Sequence, residues 1–133
     1  MNGVRIGDKV STRFAAGLLK HVGVCAGCDW ESGEPLIAHN SARFGKVKVS
    51  RLSEFTDGKD MTIERPDDGP SPAAIQARVS ALLDEPYSAI RYNCDHFVTD
   101  VLENNPRSPQ LQWLFLAGLL AVGAIYVLSS KRA

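Results

Sequence analysis

The feature that most limits what this chain can fold into is an apolar run near its C-terminus. From Leu111 to Leu128 there are 18 residues with no charge, and Gln112 is the one strongly polar side chain among them. As a helix at about 1.5 Å per residue the run would be roughly 27 Å long, close to the bilayer core of about 30 Å. It is apolar all round rather than on one stripe, which fits a membrane span better than an amphipathic surface helix. The other way to accommodate it is as a buried helix of a soluble core. Trp113 and Tyr126 lie near its two ends, where amphipathic rings favour the interface, and Lys131 and Arg132 follow where they can reach head groups. The reading divides the chain into a folded domain over 1–107 and a C-terminal hydrophobic anchor with a short basic tail over 108–133, crossing the membrane once.

Composition removes several other classes. Fifteen Lys and Arg balance fifteen Asp and Glu, for a formal net charge of zero. A general nucleic-acid binder needs a basic excess, so no nucleic-acid partner is expected. Three cysteines are too few to staple a secreted mini-domain. The opening residues, Met1 to Val10, contain no apolar run of signal-peptide length, so the folded domain is expected in the cytoplasm.

Strand patterns come first along the chain and helix patterns follow. Short strands are expected over Lys9–Arg13, His21–Ala26, Leu36–Asn40, Lys46–Ser50 and Met61–Arg65, with a turn-rich loop over Gly27–Pro35. The stretch Lys46-Val47-Lys48-Val49-Ser50 alternates with period two, as a strand with one wet face should. After the break at Pro66-Asp67-Asp68-Gly69-Pro70, Ser71 and Pro72 open a helix as N-cap and first residue, and Pro86 forbids its continuation. A second helix is expected from Cys94 or Asp95 to Glu103, stopped by Asn104-Asn105-Pro106. Strands followed by helices give an α+β domain with a small antiparallel sheet.

Three residues carry the candidate chemistry. Cys94 stands where a helix begins, and a helix N-terminus with a nearby imidazole favours the reactive thiolate. His21 and His39 sit on strands expected to pair, so their rings can approach on one face. One could act as base to Cys94 and the other could fix its tautomer. A lone Cys or His is otherwise a packing residue. Cys25 and Cys28 form a single Cys-x-x-Cys that, with His21 and His39, has the ligand types of a zinc site, but one such pair is a weak signal, and no metal or other cofactor is expected. The basic stretch Arg43, Lys46, Lys48 and Arg51 reads as a solvated strand face.

The surrounding motifs raise the weight of those three residues. Tyr92-Asn93-Cys94-Asp95-His96-Phe97 resembles the Asn-Cys-Glu-His-Phe signature of the lecithin retinol acyltransferase-like family. His21-Val22-Gly23-Val24 resembles its first histidine strand, and Leu36-Ile37-Ala38-His39-Asn40-Ser41 its second. Gly7-Asp8-Lys9-Val10 matches its Gly-Asp-x-Val opening, and Arg51-Leu52-Ser53-Glu54-Phe55 and Ser108-Pro109-Gln110 are similar to segments of bacterial members. The motifs span residues 5 to 110 in the family's order. Asp95 stands in place of the family's Glu, and Cys25 where many members have Tyr.

This resemblance implies a permuted papain-like thiol enzyme, with the histidine strands first and the cysteine helix last. Carried over, Cys94 is the nucleophile, His21 the base and His39 the third polar member, while His96 is a hydrogen-bonded structural residue. The implied chemistry is acyl transfer from a lipid or other acyl ester through a cysteine thioester. The implied protein is a membrane-anchored acyltransferase or lipid acyl hydrolase. Two other readings stand beside it: a cysteine peptidase or amidase of the same superfamily, and a catalytically silent membrane adaptor.

Overall fold

The computed structural model describes residues 3–131, so Arg132 of the basic tail lies outside the described residues. Five strands form one antiparallel sheet: β1 (Lys9–Phe14), β2 (Leu19–Cys28), β3 (Pro35–Ser41), β4 (Lys46–Arg51) and β5 (Met61–Glu64). Their order across the sheet is β4-β3-β2-β1-β5. A short helix α1 (Leu52–Thr56) separates β4 from β5, and α2 (Pro72–Leu82), α3 (Cys94–Glu103) and α4 (Pro109–Ser130) follow. The architecture is α+β, an antiparallel sheet followed by helices and ending in an apolar one.

Side-chain alternation along the strands builds a core on each face. Val22, Val24, Ala38 and Val47 point to one side, where Ile75 and Val79 of α2 and Phe97, Val98 and Val101 of α3 cover them. Val10, Cys25 and Ile37 point to the other, beneath Leu52 and Phe55 of α1. Each Val or Phe withdrawn fully from water contributes about 1.5–3 kcal/mol, which makes these two clusters the main cohesive force.

Some boundaries differ from the sequence reading. β2 is longer than His21–Ala26 because its first residues pair with β1 across the hairpin, from Leu19↔Phe14 to Val24↔Lys9. Its last residues pair with β3 beyond an irregularity between Cys25 and Gly27. α1 was not expected as a helix, since five residues are too few to show a helical period. α2 stops at Leu82, short of Pro86, where Leu83 turns to extended backbone (ψ 140°). The basic stretch lies at the surface: Lys46 pairs with Asp84 at 2.8 Å, Arg51 with Asp29 at 3.3 Å, and the Lys48 ammonium sits 3.6 Å from the centre of the Phe44 ring.

One irregularity of the sheet decides where the site can be. β2 pairs with β1 along Leu19 to Val24, but its pairing with β3 begins only at Val24. The edge of residues 19–23 that faces β3 is therefore open.

Candidate active site

The N-terminus of α3 is built by its own sequence. The Asn93 carboxamide oxygen accepts the N–H groups of Asp95 (2.9 Å) and His96 (3.1 Å). The His96 ring returns the bond, its Nδ1 accepting the Asn93 N–H at 3.1 Å. This reciprocal cap is the capping-box arrangement with an imidazole in place of Glu or Gln, and it gives His96 the structural role expected of it. Cys94 is thereby the first helical residue.

The Cys94 thiol meets the open edge of β2, donating to the Lys20 carbonyl at 3.9 Å. Burial pushes the thiol pKa up; the Val22 main chain and the N–H groups at the start of α3 act in the opposite direction and are outweighed. Withdrawal from water thus penalises the charged form of the thiol more than the helix N-terminus favours it.

His21 and His39 meet on the α1 side of the sheet. His21 Nε2 lies 2.9 Å from His39 Nδ1, and His39 Nε2 lies 2.9 Å from the Ser50 hydroxyl. Phe55 of α1 braces both rings, stacked on His21 with centroids 5.0 Å apart and edge-on to His39 at 5.1 Å. Burial lowers the pKa of His21 from 6.5 to about 4 and that of His39 to about 3, so both rings are neutral at pH 7. A cavity of about 570 Å³ opens beside them, lined by Phe14, Phe44, Phe55 and Lys48 among others.

The structure therefore joins the two histidines directly. It sets the Cys94 sulfur against the main chain of Lys20, the residue before His21. Among the described residues the thiol's hydrogen bond goes to that main chain rather than to an imidazole.

Four residues around the site were not assigned roles from sequence. Ser50 shares the face of Lys46 and Lys48, which the period-two pattern marks as wet; α1 covers that end of the face and buries Ser50 against His39. Phe55 lies on the helix that was too short to detect. Asp95, buried beside Cys94, accepts from the Ser108 hydroxyl (3.2 Å) and the Gln110 N–H (3.0 Å). Gln110, in the first turn of α4, accepts the Lys20 N–H on Oε1 at 2.7 Å and donates from Nε2 to the Lys20 carbonyl at 3.0 Å. The motif Ser108-Pro109-Gln110 was the visible signal for this last contact.

The two other cysteines stay apart from this arrangement. Cys25 is buried and its thiol donates to the Gly27 carbonyl, while Cys28 is exposed. Among the described residues no three His, Cys, Asp or Glu side chains gather to hold a metal ion.

No family model matches the chain. Curated relatives do. Over 85 residues it is 35% identical to "Phospholipase A and acyltransferase 5" of Mus musculus, covering 59% of this chain and 32% of that protein. The same protein of Rattus norvegicus matches at 35% over 85 residues, covering 30% of its length. The match thus spans about a third of the relatives' own length. The likeness to relatives of that name, in a chain whose two histidine strands precede a cysteine-headed helix, supports the resemblance of its motifs to the lecithin retinol acyltransferase-like family.

Proposed function

We propose that this protein is a membrane-anchored thiol acyltransferase or lipid acyl hydrolase of permuted papain-like type. Its catalytic domain takes residues 1–107 together with the first turn of α4, and the remainder of 108–133 is its anchor. The observation that carries the reading is the placement of the Cys94 thiol on the main chain of Lys20, the residue before His21, whose ring Nε2 lies 2.9 Å from His39 Nδ1.

The hydrogen-bond chain suits one tautomer. With His39 Nε2–H donating to Ser50, His39 Nδ1 accepts from His21 Nε2–H, and the lone pair of His21 Nδ1 is left to act as base. His21 takes the Cys94 proton as the sulfur attacks the ester carbonyl carbon. The C=O pair moves onto oxygen, and the N–H of Cys94 donates to the resulting oxyanion. Collapse expels the alkoxide, which takes the proton back from His21, and leaves a thioester on Cys94. Water or another acyl acceptor then releases the acyl group by the reverse sequence. The raised thiol pKa and the lowered imidazole pKa agree with a resting state of neutral thiol and neutral imidazole, with transfer occurring during attack.

The apolar helix supports a lipid substrate and a membrane location. α4 has 22 residues, a mean hydropathy of 2.1 over its best window, and none of that window buried. That exposure disfavours the buried-core reading of the run. In the proposed topology the domain faces the cytoplasm and α4 crosses the bilayer once.

Incubation of the full chain with p-nitrophenyl acetate, followed by mass mapping, is expected to show an acetyl thioester on Cys94. Cys94→Ser should abolish the adduct while leaving the fold intact, since the hydroxyl is a near-isostere but a poor nucleophile. An adduct mapped to Cys25 or Cys28, or none at all, would overturn the assignment. Turnover of a phospholipid but not of a peptide distinguishes the lipid enzyme from a peptidase.

A further inference from the structure

We infer that Gln110 is a catalytic residue for the proposed acyl transfer, its side-chain amide donating to the oxyanion formed when Cys94 attacks an ester; the inference rests on the reading above. The geometry begins with the open edge of β2. There Lys20 has both main-chain groups turned away from its β1 partner, and one carboxamide satisfies both: Lys20 N–H to Oε1 at 2.7 Å and Nε2 to Lys20 O at 3.0 Å. This pair of hydrogen bonds fixes which end of the amide is NH₂. The amide therefore occupies the place that a β3 residue would take in an unbroken ladder.

The Lys20 carbonyl also receives the Cys94 thiol, at 3.9 Å. The nucleophile and the Gln110 NH₂ thus sit on the same oxygen atom. An amide nitrogen carries two hydrogens, and the Lys20 carbonyl takes one of them. The second is available to an acceptor bound next to the sulfur.

The amide is held firmly. The Gln110 N–H is bonded to the buried Asp95 carboxylate, which also takes the Ser108 hydroxyl, and that hydroxyl accepts from the Asn93 side chain at 3.2 Å. The residues that cap the cysteine helix therefore also position the first turn of α4. A donor held before the reaction needs no reorganisation as charge develops on the carbonyl oxygen.

Space for the ester lies beside it. A cleft of about 320 Å³ is walled by Leu18, Leu19, Val22 and Trp113, with Lys20 and Gln110 also lining it. Its apolar walls suit an acyl chain, and it opens where the apolar α4 begins. The cleft is lined by Gln110 and by Asp95, the residue after Cys94, so an ester with its chain there brings its carbonyl to the start of α3 and to Nε2. Attack forms the C–S bond and moves the C=O pair onto oxygen, where the second Nε2–H and the Cys94 N–H donate. Expulsion of the alkoxide restores the C=O and frees both donors.

The test compares two reactions of the same thiol in the full chain, reconstituted in detergent micelles. Acylation by p-nitrophenyl acetate passes through an oxyanion, whereas alkylation by iodoacetamide displaces iodide and does not. Gln110→Met keeps the bulk and removes the donor, and Gln110→Glu keeps the acceptor for the Lys20 N–H. Both variants should acylate about 10²–10³-fold more slowly, with Cys94 alkylation within threefold of the parent chain. Acylation within threefold of the parent would overturn the inference. A parallel loss in both reactions, in either variant, would also overturn it, by showing that Gln110 serves only to place the thiol. Failure of the parent chain to acylate on Cys94 would instead remove the reading on which the inference rests.

Discussion

The two buried imidazoles tie stability to pH. His21 and His39 hold protons more weakly in the folded protein, with pKa values of about 4 and about 3 against an ordinary 6.5. Between 6.5 and those values the unfolded chain binds more protons than the folded one, so stability rises with pH across the window. The contribution of the two rings is complete above 6.5 and is lost as the pH falls through about 4 to about 3. Asp8 acts in the same direction lower down: its hydrogen bonds to Arg65 hold the carboxyl below its ordinary 3.8, against the opposing effect of burial. Melting curves between pH 7 and pH 4 should show Tm falling on acidification, and falling less in His39→Asn, which removes one of the two groups. An unchanged slope in that variant would show that His39 does not contribute to the window. In activity, His21→Ala should remove nearly all acylation, whereas His39→Asn should be milder because an amide can still accept from the neighbouring ring. The residues themselves were legible in the sequence; Ser50 was not, since its neighbours Lys46 and Lys48 mark its face as wet until α1 covers it.

At the scale of elements, the contact between β2 and α1 holds the ring pair in place, and it depends on one glycine. A Cβ at Gly23 would lie 2.5 Å from Ile37 Cγ2, 2.9 Å from the Ala38 carbonyl oxygen and 3.0 Å from Phe55 Cε2. None of the three can withdraw freely: Ile37 is fully buried, Ala38 contributes main chain, and Phe55 is stacked on His21. Gly23→Ala should therefore destabilise the domain by about 1–3 kcal/mol through overpacking, visible as a lower denaturation midpoint. It should also slow Cys94 acylation, because Phe55 moves away from the rings it supports. A variant as stable and active as its parent would contradict this account. The strand, α2 and α3 patterns were readable because each repeats over several residues. The five residues of α1 offer only Leu52 and Phe55, which is too little to distinguish a helical turn from a loop.

For the whole molecule, α4 is joined to the domain through its first turn and is otherwise exposed. Ser108 is buried, and the Arg107 main chain is bonded to Thr99 through both its N–H and its carbonyl, at 2.8 and 2.7 Å. Truncation after Gln112 is thus expected to release a soluble domain that still acylates on Cys94. Truncation after Arg107 should not do so, because it strips Asp95 and the Lys20 main chain of their partners. Leu120→Arg places a charge at the centre of the proposed span, at a cost of about 2.5–3.5 kcal/mol, and should move the full chain from the carbonate-resistant membrane fraction to the extractable one. If the truncation after Gln112 aggregates and loses acylation, α4 is part of the core instead of an anchor.

The sequence by itself determined the order of the strands and of the three longer helices, the all-round apolar run and the candidates Cys94, His21 and His39, because each rests on neighbouring residues. Periodicity, capping and motif order all act over short stretches of chain. Only the tertiary structure decided that β2 and β3 part beyond Val24, leaving an edge that the Cys94 thiol and Gln110 fill from 74 and 90 residues away. It also decided that burial outweighs the helix N-terminus at the thiol. Both follow from which surfaces meet, and thereby lose water, when strands and helices distant in the chain pack together.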